Sequence, residues 1–310
     1  MDTAKTDSGF EYTSIVYPFY EKNALFIHPD KAWSEYSDYI AENKIEQAKV
    51  FMPTLSGLAS CRSLKYLYIL PTPDAPREID FKPLYSLPEV KFLNCGNAAG
   101  DDYQYLSEVD YSYVNGLEVL LTDVNRCTKN YNTIASLKSL GVWSYKGRNG
   151  DLEDLFSSTV LDSLSMISCR NRSLYGISRA ENLRCLYIHR NRCLEDISAL
   201  QEVKSTLTAL RLESCPKVTD FSVLSELHSL ELLELSGSNT IESLDFIRNM
   251  PKLKTLILTM NVVDGDLRPC AQLSYVFAKD RRHYNLKDDE LPKGKRFFGN
   301  EDIESWRRFE

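Results

Sequence analysis

One apolar phrase, LxxLxL, returns along most of this 310-residue chain. A phrase repeated at near-constant spacing restricts the chain to stacked, quasi-one-dimensional architectures. It is sharpest as LRCLYI from Leu183, LTALRL from Leu207, LELLEL from Leu230 and LKTLIL from Leu253. Looser copies begin at Leu64, Val90, Leu117, Leu137 and Leu161, and degraded ones at Ile45 and Leu273. Successive starts lie 19 to 27 residues apart, with the C-terminal copies the most regular. Alternation of apolar and variable positions within the phrase is the two-residue period of a strand.

The second half of each unit repeats as well. Asn or Cys stands at the ninth position in Asn125, Cys169, Asn191, Cys215 and Asn261, with Tyr145 as the departure. In a stacked array such a side chain can bond turn backbone that has no ladder partner. There follows Asp-apolar-Ser-x-Leu, as in Asp196 to Leu200 and Asp220 to Leu224. Asp before a short apolar run suits the N-terminus of a single helical or 3₁₀ turn. No unit can bury its apolar face alone, so stability has to come from stacked neighbours.

The strings LYIHRNRCLEDISAL and LRLESCPKVTDFSVL resemble the leucine-rich repeat proteins, specifically the short repeats of about 22–24 residues found in internalins and phosphatase-regulatory subunits. The resemblance covers residues 45–278. It implies an α/β solenoid, a horseshoe with about eleven parallel strands on its concave face and short helical or 3₁₀ turns on its convex face. Residues 1–44 are expected to form an N-terminal cap, with short strands at Ser14–Tyr17 and Ala24–Ile27. Trp33, Tyr36 and Ile40 would share one helical face there. Residues 279–310 leave the pattern and are expected to cap the other end, with Phe297, Phe298, Trp306 and Phe309 as covering aromatics.

Composition narrows function by exclusion. Hydrophobic residues make up 43% and charged residues 26%, which is a folding chain. A net charge of −7 and a pI near 5.3 repel phosphate, so neither nucleic acid nor an acidic membrane is the expected partner. The tail's basic knot, Lys293, Lys295 and Arg296, stands beside Asp288, Asp289 and Glu290 and does not change that expectation. No basic-then-apolar leader opens the chain and no apolar run is long enough for a bilayer, so a cytoplasmic protein is expected, and a monomer is the expected state. Eight cysteines occur without a CxxC pair or zinc-type spacing to histidine, which favours free thiols in a reducing compartment. No metal or cofactor is expected.

Nothing in the sequence matches a phosphate loop, a dinucleotide fingerprint, HExxH or GxSxG. Of the four histidines, His28 precedes a proline turn, His228 and His283 fall outside the strands, and only His189 falls on the expected concave sheet. His189 with Arg211 and Glu213 could do acid–base work, but no nucleophile accompanies them. Binding is therefore the expected use of the variable strand positions. These carry Tyr66, Tyr68, Phe92, Trp143, Tyr187 and Phe277, together with the charged group His189, Arg190, Arg211, Glu213 and Glu234. Aromatic and arginine side chains anchor protein interfaces. The expected function is a non-catalytic protein-binding module, an inhibitor or regulatory subunit of the immunity-protein kind, centred on Trp143, Tyr187, His189, Arg211 and Glu213. An internalin-like surface or secreted adhesion protein is the alternative. Exposed aromatics otherwise need a covering segment, and the tail could fold back to supply one.

Overall fold

The computed structural model describes residues 3–14, 23–70, 72, 79–96 and 108–297. Phe298, Trp306, Phe309 and most of the Ser14–Tyr17 stretch lie outside the described residues. The chain divides into two compact units, Met1–Trp143 and Ser144–Glu310.

Each of the eleven LxxLxL phrases forms a strand, and every strand begins two residues into its phrase. In the first unit these are Gln47–Val50, Tyr66–Ile69, Phe92–Asn94, Val119–Asp123 and Ser139–Trp143. In the second they are Ser163–Ile167, Cys185–His189, Ala209–Glu213, Leu232–Ser236, Thr255–Leu258 and Tyr275–Ala278. Within each unit the strands pair in parallel and in register, so Leu186, Leu210, Leu233, Leu256 and Val276 form one buried row. The phrase spacing sets this register: every repeat returns its leucines to the same height, and slipping by one residue would turn the whole row toward water.

The return half of the repeat also follows from its side chains. Asp196 Oδ1 accepts the amide of Ser198 over 2.8 Å, and Asp220 Oδ1 accepts that of Ser222 over 2.9 Å. The same two-residue bridge recurs at Asp110–Ser112 and Asp266–Arg268. Each opens a short 3₁₀ turn: Tyr111–Tyr113, Ser198–Val203, Ser222–Glu226 and Arg268–Gln272. The aspartate holds backbone donors that a turn of this length cannot satisfy itself.

The buried ladder is more varied than the ninth-position reading. Asn191 Oδ1 accepts from the amides of Cys193 and Leu194 at 3.0 and 3.1 Å, while its Nδ2 donates to Asn171 Oδ1 in the preceding repeat at 2.8 Å. Asn239, one place later than the pattern, donates to the carbonyls of Cys215 and Val218. Tyr145 fills its slot by donating to the Asp151 carbonyl over 3.0 Å. Asn261 instead forms part of a short parallel pair with Thr240 and is only half-buried.

At the start of the first unit, Glu11–Ser14 and Asn23–Ile27 pair antiparallel, and the latter then joins Gln47–Val50 in parallel. Helix Trp33–Asn43 buries Tyr36 and Ile40, and the Trp33 indole lies so close to Gly57 that a Cβ there would come within 2.3 Å of it. After the last strand of the second unit, Tyr284 and Leu291 are buried. The Tyr284 hydroxyl accepts the Val262 amide at 2.9 Å and donates to the Met260 carbonyl at 3.2 Å. No described helix is long and apolar enough to cross a membrane.

Candidate functional site

Outward strand positions present one open face per unit, opposite the leucine row. In the second unit this face carries a connected polar network. Tyr187 donates its hydroxyl hydrogen to Glu213 Oε2 over 2.8 Å, and its ring stacks on His189 with centroids 5.8 Å apart. His189 Nε2 lies 3.3 Å from Glu213 Oε1. One strand further on, Arg211 Nε lies 3.6 Å from Glu234 Oε2, and Ser236 Oγ donates to Glu234 Oε1 at 3.2 Å.

Register explains why these groups meet. Tyr187, Arg211 and Glu234 are direct neighbours on three parallel strands, as are His189, Glu213 and Ser236. Neighbouring strands stand about 4.8 Å apart, so a diagonal step brings Tyr187 to Glu213. The sequence period identifies both rows. Which side chain leans toward which becomes visible only once the rows are packed.

Burial moves the protonation equilibria in chemically consistent directions. It lowers the His189 pKa, more than the Glu213 carboxylate raises it, and the Arg190 charge adds to the lowering. Burial raises the pKa of Glu234, with Arg211 and the Ser236 hydrogen bond pulling the other way. Tyr187 is pushed up by burial and by its bond to Glu213, so it remains a hydroxyl donor at neutral pH.

Two expected anchors are not exposed. Tyr187 is 2% accessible and Arg211 3%, so neither offers its side chain to a partner directly. In-register neighbours wall each of them in, and the ring of Phe297 packs on the cluster of Cys185, Tyr187, Ala209 and Leu232. The reading that the tail could return over the sheet therefore holds for Phe297. Glu234 is largely buried, while His189 and Glu213 are half-buried. Arg190 and Phe277 are exposed, Phe277 at 40%.

Arg190 sits in a backbone geometry that the sequence pattern does not show. The eighth position adopts a left-handed conformation at Ser144, Ser168, Arg190 and Ser214, with φ between 52° and 62°. The chain thus leaves these four strands by the same sharp turn, at a conformational cost for L-residues of about 1–2 kcal/mol.

The first unit places its expected residues on its own open face. Tyr66, Tyr68 and Trp143 are half-buried, whereas Phe92 is 5% exposed and serves as packing. Tyr68 and Phe92 approach to 6.4 Å between ring centroids. The Trp143 indole lies over Gly96, where a Cβ would come within 2.5 Å of the ring. Gly96 is thus needed for close approach at this point. Trp143 belongs to the first unit, and Tyr187, His189, Arg211 and Glu213 belong to the second.

His28 carries more than its position before a proline suggested. It stacks on Phe26 at 4.9 Å and lies 3.8 Å from Glu11 and 3.6 Å from Asp30. Phe26 is in register with Lys49 and hence with Tyr68, so this open face begins one strand earlier than the repeat phrase. The signal was the Ala24–Ile27 strand itself, two residues short of a recognisable repeat. His228 and His283, outside the strands of the repeat, are exposed.

All eight cysteines are free thiols. No group of three or more His, Cys, Asp or Glu among the described residues is arranged to hold a metal.

No protein-family model matches the sequence, and no curated protein matches it. Solved structures do resemble the fold. An internalin of Listeria monocytogenes is 19% identical with a TM-score of 0.55, over 82% of this chain and 73% of that one. The Toll–Spatzle complex of Drosophila gives 14% identity and a TM-score of 0.53, over 89% of this chain and 40% of that one. A leucine-rich repeat protein of Leptospira interrogans gives 16% and 0.51, over 84% and 65%. The chain spans less than two thirds of the length of the latter two. Strand register, the polar ladder of the return turns and these likenesses agree: this chain has the leucine-rich repeat fold.

Proposed function

We propose that this chain is a non-catalytic protein-binding module that takes its partner on the open strand face, with His189, Arg190, Glu213 and Phe277 as direct contacts in the second unit. Tyr187, Arg211 and Glu234 act beneath them as a fixed platform. Tyr66, Tyr68 and Trp143 offer a second, aromatic contact area in the first unit. The observation that carries this reading is the Tyr187–Glu213–His189 network, which holds half-exposed polar atoms in set positions on rigid strands. Ordering entropy is lost when such a surface folds, so less is lost when a partner arrives.

Toll in complex with Spatzle is a leucine-rich repeat fold bound to a protein, which is the same class of use. A net charge of −7 suits a cationic target, and an inhibitor or regulatory subunit of the immunity kind fits that best. The reading places the solenoid at 45–278, between end segments 1–44 and 279–310, in a cytoplasmic monomer.

The test is affinity capture with the full chain, followed by measurement of Kd for the recovered protein. His189→Ala/Phe277→Ala is expected to weaken binding by tenfold or more, about 1.4 kcal/mol, with the melting temperature held. Unchanged affinity in that folded variant would remove the second unit's open face from the interface.

A further inference from the structure

Past the buried cap residue Leu291, the chain turns back across the open face of the second unit. Lys293 pairs antiparallel with Tyr275, and the Gly294 amide donates to the Ser274 carbonyl over 2.9 Å. A Cβ on Gly294 would come within 2.8 Å of that carbonyl oxygen, so the close approach depends on glycine. Three residues later the Phe297 amide donates to Thr255 Oγ1 over 2.8 Å, and the Phe297 ring packs on Cys185, Tyr187, Ala209 and Leu232. Cys185, Ala209, Leu232, Thr255 and Tyr275 hold one register position on successive strands. The segment thus pairs with the last strand at Lys293 and then crosses toward the preceding strands, so that Phe297 lies over them.

Charge follows the same path. The Arg296 guanidinium lies 5.9 Å from the Tyr275 ring centre, and its charge reaches Glu234, where it favours the carboxylate. The Lys254 ammonium lies 4.8 Å from the centre of the Phe297 ring. A basic residue followed by an aromatic one therefore meets an aromatic ring, a hydroxyl acceptor and an apolar patch in fixed order, with the Glu234 charge within electrostatic reach. Such contacts are the ordinary chemistry of peptide recognition.

The cap proper and this segment differ in how firmly they are held. Tyr284 and Leu291 are buried, whereas Arg296 and Phe297 remain half-buried and Lys295 is exposed. Weakly buried segments open at low free-energy cost.

We propose that residues 293–297 are an internal occupant of the recognition surface, and that the external ligand is an extended protein segment presenting a basic residue followed by an aromatic one, which binds by displacing them. This rests on the reading of the second unit's open face as the interface. While the occupant is seated, the site's apparent affinity is reduced by the fraction of molecules that are open.

The test uses the full chain and a fluorescent peptide of sequence PKGKRF, copied from residues 292–297, with binding followed by anisotropy. Phe297→Ala is expected to bind the peptide about tenfold more tightly than the unsubstituted chain, because the competing ring is gone. A PKGKAA peptide is expected to bind Phe297→Ala at least about tenfold more weakly than PKGKRF, since both anchors are missing. Equal affinity of the two chains for PKGKRF, or of the two peptides for Phe297→Ala, overturns the proposal. Hydrogen exchange of the Phe297 amide in the unsubstituted chain gives a second readout: protection that is lost at saturating peptide supports displacement, and an amide unprotected in the free chain overturns it. The two readings separate on the captured partner. Binding that falls in His189→Ala/Phe277→Ala but does not strengthen in Phe297→Ala keeps the interface and overturns displacement. Peptide displacement alongside partner affinity indifferent to His189 and Phe277 overturns the assigned partner contacts instead.

Discussion

Tyr187 and Glu213 lie on adjacent parallel strands and are joined diagonally, the phenol donating to the carboxylate over 2.8 Å while the same carboxylate faces His189 at 3.3 Å. One carboxylate thereby positions two rings. The hydroxyl is spent within the protein, which is why an aromatic expected to anchor a partner instead stiffens the surface that would meet one.

The polar ladder makes a strong stability prediction. Asn191 is fully buried and holds two backbone amides, those of Cys193 and Leu194. Asn191→Ala leaves both donors without their acceptor and is expected to cost about 3 kcal/mol. Asn125, half-buried and accepting from the Cys127 amide at 2.7 Å, is its control. Asn125→Ala is expected to cost about 1 kcal/mol. Urea denaturation of the two variants checks the order, and equal losses would refute the ladder's role.

His189 sets a pH dependence with a definite sign. Its pKa in the folded protein lies below the ordinary value of 6.5, so the folded state binds the proton less well than the unfolded chain. The stability it contributes is complete above that ordinary value and is lost as pH falls through the lowered folded one. Glu234, with its raised pKa, works in the opposite sense: its contribution is present at low pH and is lost as pH rises through the folded value. Comparing His189→Gln with the unsubstituted chain isolates the histidine. The substituted chain is expected to lose less melting temperature between neutral pH and about pH 5. A steeper acid loss in His189→Gln would reverse the assignment.

Thiol chemistry distinguishes packing from reactivity. Burial pushes the thiols of Cys61, Cys169 and Cys270 up to about 12 and that of Cys215 up to about 11. Thiolate is the alkylating species, so these four are expected to resist iodoacetamide in the native protein. Cys127 and Cys193 are half-exposed and are expected to be modified first. Peptide mapping after a short exposure reads the order. Early modification of Cys169 or Cys215 would show that the ladder opens without global unfolding.

Much of the architecture was legible because its physics is local and periodic. A two-residue alternation returning every 19 to 27 residues dictates both the strands and their register, and all eleven phrases became strands at the same offset. The aspartates before the return turns at Ser198 and Ser222 were legible for the same reason, since each bond spans two residues. Less was visible at Asn239, where the ladder asparagine stands one place late, and at Asn261, which left the ladder for a short strand. Those outcomes depend on how neighbouring repeats stack.

The candidate surface divides along the same line. By itself the sequence determined which residues share the open face: Tyr187, Arg211 and Glu234 in one row, His189 and Glu213 in the next. Tertiary structure alone decided which of them face solvent. Exposure depends on the neighbour one strand away and on whatever covers both, and neither distance is encoded within one repeat. Arg211, flanked in register by Tyr187 and Glu234, is buried, while Glu213, flanked by His189 and Ser236, is only half-buried. Phe297 packs against the cluster of Cys185, Tyr187, Ala209 and Leu232 from several repeats away, a contact that no local period specifies.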